Sequence, residues 1–419
     1  MIRYAFAIAS FAIAATLAAA APPAAGYTAN VPVGNATRID WTFAVTNQSL
    51  AQPPAELLGK GYDSTAQSYE LYLPVRKDPK APIPAIVFIS AGNDAAGWKA
   101  FEPVCTKQGI AFIGIRGAGN NVPPPKRVRI VLDCLDDVRR QVPLDPDRTY
   151  ISGFSGGGRI AVGIAVALPE YFGGIIPIGA GGDLRSEPWL RHRAADRLSA
   201  ALLTGDSDFN RGEVERWTGP YWTALGIRSK VWVQPKTGHA MASSTTLAVA
   251  VAWLEEGKAQ RAKLATAYPA SRAKPDSALT REDDAKALFA EGQKKLAAKG
   301  SLYRGLMLVK GAADRWPDTA TGKAARKLLE ESEAKKDRPW EADDIAEQRT
   351  QLIAEARSLG DYALNGIPAG STYEKSRPDM ARKVIEIWSA LIADAPDSEV
   401  SKEGRKKVEE LKAIAGKDK

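Results

Sequence analysis

From about Val31 to Gly257 short apolar, β-favouring runs alternate with longer stretches whose apolar residues recur at helical spacing. The runs predict strands at Tyr69–Leu73, Ala85–Ser90, Ala111–Ile115, Thr149–Ser152, Gly174–Ile178, Ala200–Thr204 and Lys230–Gln234. Several are apolar at every position instead of at alternate ones, the pattern of strands covered on both faces. The stretches between them predict helices near Trp98–Gln108, Arg127–Gln141, Gly156–Leu168 and Thr245–Glu256. Strand–helix alternation of this kind argues for a mainly parallel sheet flanked by helices, an α/β domain over 31–257.

The pattern changes after Leu254. Residues 258–283 are rich in Lys, Ala, Ser and Pro with weak periodicity, a linker that starts as helix. From 284 to 419 Ala, Leu, Lys and Glu dominate at helical spacing, as in Asp284–Ala298, and no convincing strand occurs. This helical domain repeats itself. Trp316-Pro-Asp-Thr319 and Ala395-Pro-Asp-Ser398 stand 79 residues apart, and Lys323, Arg326, Lys327, Glu330 and Glu331 recur at the same offset as Lys402, Arg405, Lys406, Glu409 and Glu410. Each Pro-Asp-Thr/Ser step ends one helix and caps the next, because proline is a poor helix continuer and the polar side chain accepts from free N–H groups. The pattern is similar to tetratricopeptide-like helical hairpins, and an ordinary helical bundle fits it as well.

The N-terminus carries Arg3, then an Ala/Ile/Phe-rich stretch to Ala21, with small residues at Ala18, Ala20 and Ala21 before Pro22-Pro23. A positive start, a short apolar run and an A-x-A-like site are the marks of a signal peptide over 1–21, the run being short of the about 20 residues that span a membrane. An uncleaved anchor is the other reading. The expectation is an exported, periplasmic or extracellular protein with no transmembrane segment.

With 419 residues the chain exceeds one ordinary domain, and its 45% hydrophobic and 25% charged residues exclude a wholly disordered polypeptide. Two Cys and two His exclude a disulfide scaffold and a His- or Cys-rich metal site, so neither metal nor cofactor is expected. The 57 basic residues are interspersed with 49 acidic ones, so the net charge of +8 describes a solvated basic surface and not a nucleic-acid partner. An exported compartment would allow Cys105 and Cys134 to pair, but they fall on two different helices expected on opposite faces of the sheet, which favours two buried thiols over a bridge.

One segment carries chemistry. The strand Thr149–Ser152 runs into Gly153-Phe-Ser155-Gly-Gly157-Gly158 and then into an Ala/Ile/Val helix. In strand–turn–helix context G-x-S-x-G is a nucleophile elbow: the turn is too tight for side chains beside the serine, whose hydroxyl is thrust out over a helix N-terminus. There the Gly156 N–H can meet a developing oxyanion. A flexible glycine loop is the bland alternative. The chain resembles the α/β-hydrolase family, specifically secreted esterases similar to polyhydroxybutyrate depolymerases and feruloyl or acetyl-xylan esterases. The resemblance covers roughly Ser68 to Glu256. It rests on Tyr69–Pro74, Ala85–Asn93, the elbow block Val142–Gly157, Leu203–Asp208 and Thr237-Gly238-His239.

The resemblance implies a Ser-Asp-His triad. Ser155 is the nucleophile. The base is His239, which follows a strand by a short loop late in the chain; His192, in the basic patch Trp189–Arg193, reads as a surface residue. The family's G-x-x-D spacing selects Asp208 as the acid, with Asp206 in reserve and Asp183 third, and the unchosen Asp206 capping its turn. The second oxyanion donor is expected from the loop Ser90-Ala-Gly-Asn93, where many members carry His-Gly; Gly92 is the choice and Asn93 the alternative. Arg116 and Arg159 read as structural ion-pair donors, and Trp98, Trp189, Trp217 and Trp222 fit core packing or a substrate groove equally.

The expected activity is hydrolysis of carboxylic esters through an acyl-enzyme, with short-chain or polymer-linked esters as substrates. A serine peptidase of prolyl-oligopeptidase type shares the triad, but nothing before Tyr69 is long enough for its propeller. A non-catalytic scaffold with a degenerate hydrolase domain is the third reading. The helical tail is expected to contact a protein, the cell envelope or the hydrolase domain.

Overall fold

Strands β1 (Gly26–Pro32), β2 (Ser68–Leu73), β3 (Ile83–Ile89), β4 (Ala111–Ile115), β5 (Leu144–Phe154), β6 (Gly174–Ile178), β7 (Ser199–Gly205) and β8 (Arg228–Gln234) form one sheet. Their order in the computed structural model is β1-β2-β4-β3-β5-β6-β7-β8. The model describes residues 23–34, 61–182, 194, 197–224, 227–265, 281–367, 369–370 and 374–416. Pairings β1–β2 and β2–β4 are antiparallel and all others parallel. A reversed β2, exchanged β3 and β4 and a parallel run to β8 make the α/β-hydrolase fold.

The unbroken apolar runs are explained by the two layers they serve. Ala85, Val87 and Ile89 face a core shared with α2 (Pro124–Gln141) and α3 (Gly156–Ala167). Ile86 and Phe88 face a second core shared with α1 (Trp98–Gln108) and α5 (Ser244–Glu256), the short α4 (Gly219–Ala224) lying between α3 and α5 in the chain. Each buried Leu, Ile or Phe contributes about 1.5–3 kcal/mol of transfer free energy, so a strand apolar on both faces anchors two layers at once. Cys134 belongs to the first layer and Cys105 to the second; both are buried and unpaired. Burial raises both thiol pKa values well above the ordinary range.

Two boundaries differ from the sequence reading. The α/β unit begins before residue 31, because β1 adds an antiparallel edge strand against β2. Its residues are mostly exposed, so it lacks the apolar run by which the other strands are recognised. At the other end, the expected linker 258–283 starts as α6 (Lys258–Ala265), docked on β5. Arg261, 3% exposed, donates from Nε to Asp147 O and from Nη2 to Tyr150 Oη, at 2.9 and 3.1 Å. Residues 1–22 and 266–280, and with them the expected signal peptide and the rest of the linker, lie outside the described residues.

Beyond them come α7 (Arg281–Leu296), α8 (Leu302–Arg315), α9 (Ala320–Glu333), α10 (Trp340–Asp361), a π-helical turn (Tyr362–Gly366), α11 (Arg377–Asp394) and α12 (Glu399–Ala415). Helices α7, α8 and α9 pack in succession, as do α11 and α12. Thr319 caps α9 by accepting from Gly322 N, and Ser398 caps α12 by accepting from Ser401 N. The repeat is thus two helix–cap–helix units. At one equivalent pair of positions Ala325 and Gly404 are both small; a Cβ on Gly404 would lie 2.7 Å from the fully buried Trp388 ring. The tail meets the α/β unit where α10 and the π-helical turn pack on residues 213–224, just after β7. No helix among the described residues is long and apolar enough to cross a membrane.

Candidate active site

Strand β5 delivers Ser155 to the C-terminal edge of the sheet, and α3 departs immediately. Ser155 has φ 53° and ψ −122°, a conformation that costs a non-glycine residue about 1–3 kcal/mol and persists only where its surroundings impose it. They do so through close backbone approach: a Cβ on Gly157 would overlap the Ile89 carbonyl oxygen, and one on Gly153 the Gly157 carbonyl. The Ser155 N–H is held at 2.9 Å by Ile178 O on β6. Gly156 is the first residue of α3, so its N–H has no carbonyl one turn earlier to bind.

The loop after β8 carries His239 to the same point. His239 Nε2 lies 2.9 Å from Ser155 Oγ, and His239 Nδ1 lies 2.9 Å from Asp208 Oδ1. A carboxylate only accepts, so the proton sits on Nδ1 and leaves Nε2 free to accept from the serine hydroxyl. Asp208 is buried and fixed twice more: Oδ1 accepts from Asn210 N at 2.8 Å, and Oδ2 from Thr204 Oγ1 at 3.1 Å. Asn210 in turn donates from Nδ2 to Gly179 O at 2.8 Å, tying the β7 loop to the β6 loop.

Asp206 lies apart from the imidazole. Its carboxylate accepts from the backbone N–H of Lys236 at 2.6 Å and of Thr237 at 3.0 Å, and those N–H groups hold its pKa below the ordinary value. It therefore braces the loop that bears His239. Asp183 and His192 lie outside the described residues. Gly92 is on the expected loop, but its N–H donates at 3.0 Å to Ser90 Oγ in the same loop.

Two aromatic rings flank the imidazole. Phe154 lies 4.8 Å from it between centroids, and Phe209, 61% exposed, lies 4.1 Å away on the open side. The one local sign of Phe209 in the sequence is an apolar residue placed directly after Asp208 in a polar loop. Arg159 pairs with Glu213 at 2.7 Å and Arg116 with Glu70 at 3.6 Å. Trp222 is fully buried, and Trp98 stacks on Tyr27 and Tyr72. Trp189 and the Trp217 side chain lie outside the described residues. No three His, Cys, Asp or Glu side chains converge as metal ligands among the described residues.

No protein-family model and no curated protein matches the chain. Solved structures do resemble it. A thermostable esterase is 19% identical over 45% of this chain and 59% of its own, with TM-score 0.38. A fluorophosphonate-binding serine hydrolase of Staphylococcus aureus is 14% identical over 45% of this chain and 92% of its own, with TM-score 0.36. Est1E of Butyrivibrio proteoclasticus, solved with ferulic acid, is 13% identical over 47% and 98%, with TM-score 0.35. The matched region spans less than two thirds of the thermostable esterase.

Proposed function

We propose that this chain is an exported serine hydrolase that cleaves carboxylic esters through an acyl-enzyme. The observation that carries the reading is the continuous hydrogen-bonded line Asp208–His239–Ser155 ending on a serine held in a strained elbow. In this reading His239 Nε2 takes the hydroxyl proton as Ser155 Oγ attacks the ester carbonyl carbon. The resulting alkoxide oxygen points to the Gly156 N–H at the start of α3. Asp208 keeps the imidazole in the competent tautomer and stabilises the imidazolium, its carboxylate held in place by Asn210 N and Thr204 Oγ1. The imidazolium then protonates the departing alcohol. Water, deprotonated by the same nitrogen, attacks the acyl-Ser155 ester and releases the acid.

The exposed Phe209 face and a His239 side chain 18% open to solvent support substrates that approach from bulk, short-acyl or polymer-linked esters above buried lipid chains. Export is supported by the N-terminal run of Arg3 followed by apolar and small residues.

The test is labelling of the purified protein with a fluorophosphonate probe, with the adduct located by peptide mass spectrometry. The expected result is one adduct at Ser155, abolished in Ser155→Ala and strongly slowed in His239→Ala. Folded wild-type protein that takes no label would overturn the reading.

A further inference from the structure

An oxyanion in this fold needs a second donor beside the Gly156 N–H, and the N–H of Gly92 is engaged by Ser90 Oγ. Another group stands at the position. The loop after β4 folds over the loop after β3: Gly117 N donates to Asn93 O and Asn120 N to Ala91 O, each at 2.8 Å, and Gly119 N to Asn93 Oδ1 at 3.0 Å. This lays the Asn120 carboxamide on the Cα of Gly156. A Cβ added to Gly156 would overlap Asn120 Oδ1 and lie 3.0 Å from its Nδ2.

The orientation of that carboxamide is set from behind. Arg127 on α2, 5% exposed, donates from Nε to Ala118 O at 2.7 Å, from Nη2 to Ser90 O at 3.4 Å and from Nη1 to Asn120 Oδ1 at 3.1 Å. Guanidinium has donors only, so the amide oxygen must face it and the NH2 group must face away. Among the described residues no acceptor is bonded to Nδ2. Asn120 itself is exposed, beside the elbow.

We infer that Asn120 is a catalytic residue, its Nδ2–H donating to the tetrahedral oxyanion beside the Gly156 N–H, with Arg127 as the residue that positions it. The inference rests on the ester-hydrolase reading. A side-chain donor here explains two features together: glycine at 156, which leaves room for the carboxamide, and a buried cation that bonds only amide oxygens. Bonding to the guanidinium also polarises the carboxamide, which makes its N–H groups stronger donors.

The experiment is steady-state hydrolysis of p-nitrophenyl acetate by the full chain and its variants, with fluorophosphonate labelling of Ser155 alongside. Asn120→Ala is expected to lower kcat by about 100-fold, the scale of one lost oxyanion donor, with KM changed by less than about threefold. Asn120→Asp keeps an oxygen for Arg127 and the same shape but offers no donor; its kcat is expected to fall at least as far. Arg127→Lys is expected to lower kcat about tenfold in the wild-type background and less than about twofold on top of Asn120→Ala, the non-additivity of residues acting through one group. An Asn120→Asp protein within about threefold of wild-type kcat would show that only the acceptor side of the carboxamide matters, and the inference would fall. A wild-type chain with neither turnover nor label would instead remove the ester-hydrolase reading, and the inference with it.

Discussion

Gly179 lies directly beneath the bond between His239 and Asp208: a Cβ on it would come 2.9 Å from Asp208 Oδ2 and 3.1 Å from His239 Nδ1. Its φ is +58°, left-handed backbone that glycine alone adopts freely. The β6 loop can therefore support Asp208 and His239 from below only because it has no side chain there. Gly179→Ala is expected to displace Asp208 from His239 and lower kcat by about 10–100-fold, with KM little changed and about 1–2 kcal/mol lost from stability. The check is kcat and KM on p-nitrophenyl acetate beside a thermal melt; a variant that melts earlier yet turns over at the wild-type rate would refute it.

Asp206 makes the loop bearing His239 sensitive to acid. Its folded-state pKa lies below the ordinary 3.8 because Lys236 N and Thr237 N donate to its carboxylate. A depressed carboxyl pKa gives stabilisation that is present above the unfolded value and is lost as pH falls through the folded one. Amide protection factors at Lys236 and Thr237 are thus expected to drop as the pH falls below about 4, ahead of those in the sheet. In Asp206→Ala they are expected to be low at every pH. Unchanged protection at these two amides at pH 3 would contradict the assignment.

Phe209 presents an open aromatic face next to the His239 imidazole. Phe209→Ala is expected to raise KM for phenyl esters about fivefold, the equivalent of about 1 kcal/mol of ring–ring contact, and to leave ethyl esters within about twofold. Equal changes for both series would mean that the ring serves only to pack the imidazole.

In the tail, Gly404 sits against Trp388 with no room for a side chain. Gly404→Val is expected to cost about 1–3 kcal/mol by overpacking, seen as a lower Tm. Val at the equivalent Ala325 tests whether the two repeat units share one packing rule.

The parts of this molecule legible in the sequence are those where one residue type answers to one physical demand. Strand β4 and helix α1 coincide with the apolar run and the periodic stretch that predict them, because both bury what they show. The elbow is equally legible, since only glycines admit the approach of Gly157 to Ile89. Strand β1 is not legible in the sequence, because an exposed edge strand needs no apolar pattern. Asn120 and Arg127 are not legible as a pair, because their meaning depends on contacts between distant chain segments, 37 residues apart in the Arg127–Ser90 bond. The run Gly117-Ala-Gly-Asn-Asn121 after an apolar strand was the one local sign of a shaped loop. Asp206 and Asp208 are not distinguishable by local pattern, because both carboxylates share one turn and differ only in what they meet, Lys236 N for Asp206 and His239 Nδ1 for Asp208.

The two unpaired cysteines give the sheet a labelled front and back. Cys105 is sealed between the sheet and the helices on one side, Cys134 on the other, and burial keeps each as an unreactive thiol while its own layer stays closed. Each sulfur is thus a private clock for one half of the α/β unit. The order in which a thiol reagent reaches them during slow denaturation records which layer peels from the sheet first, with no engineered probe.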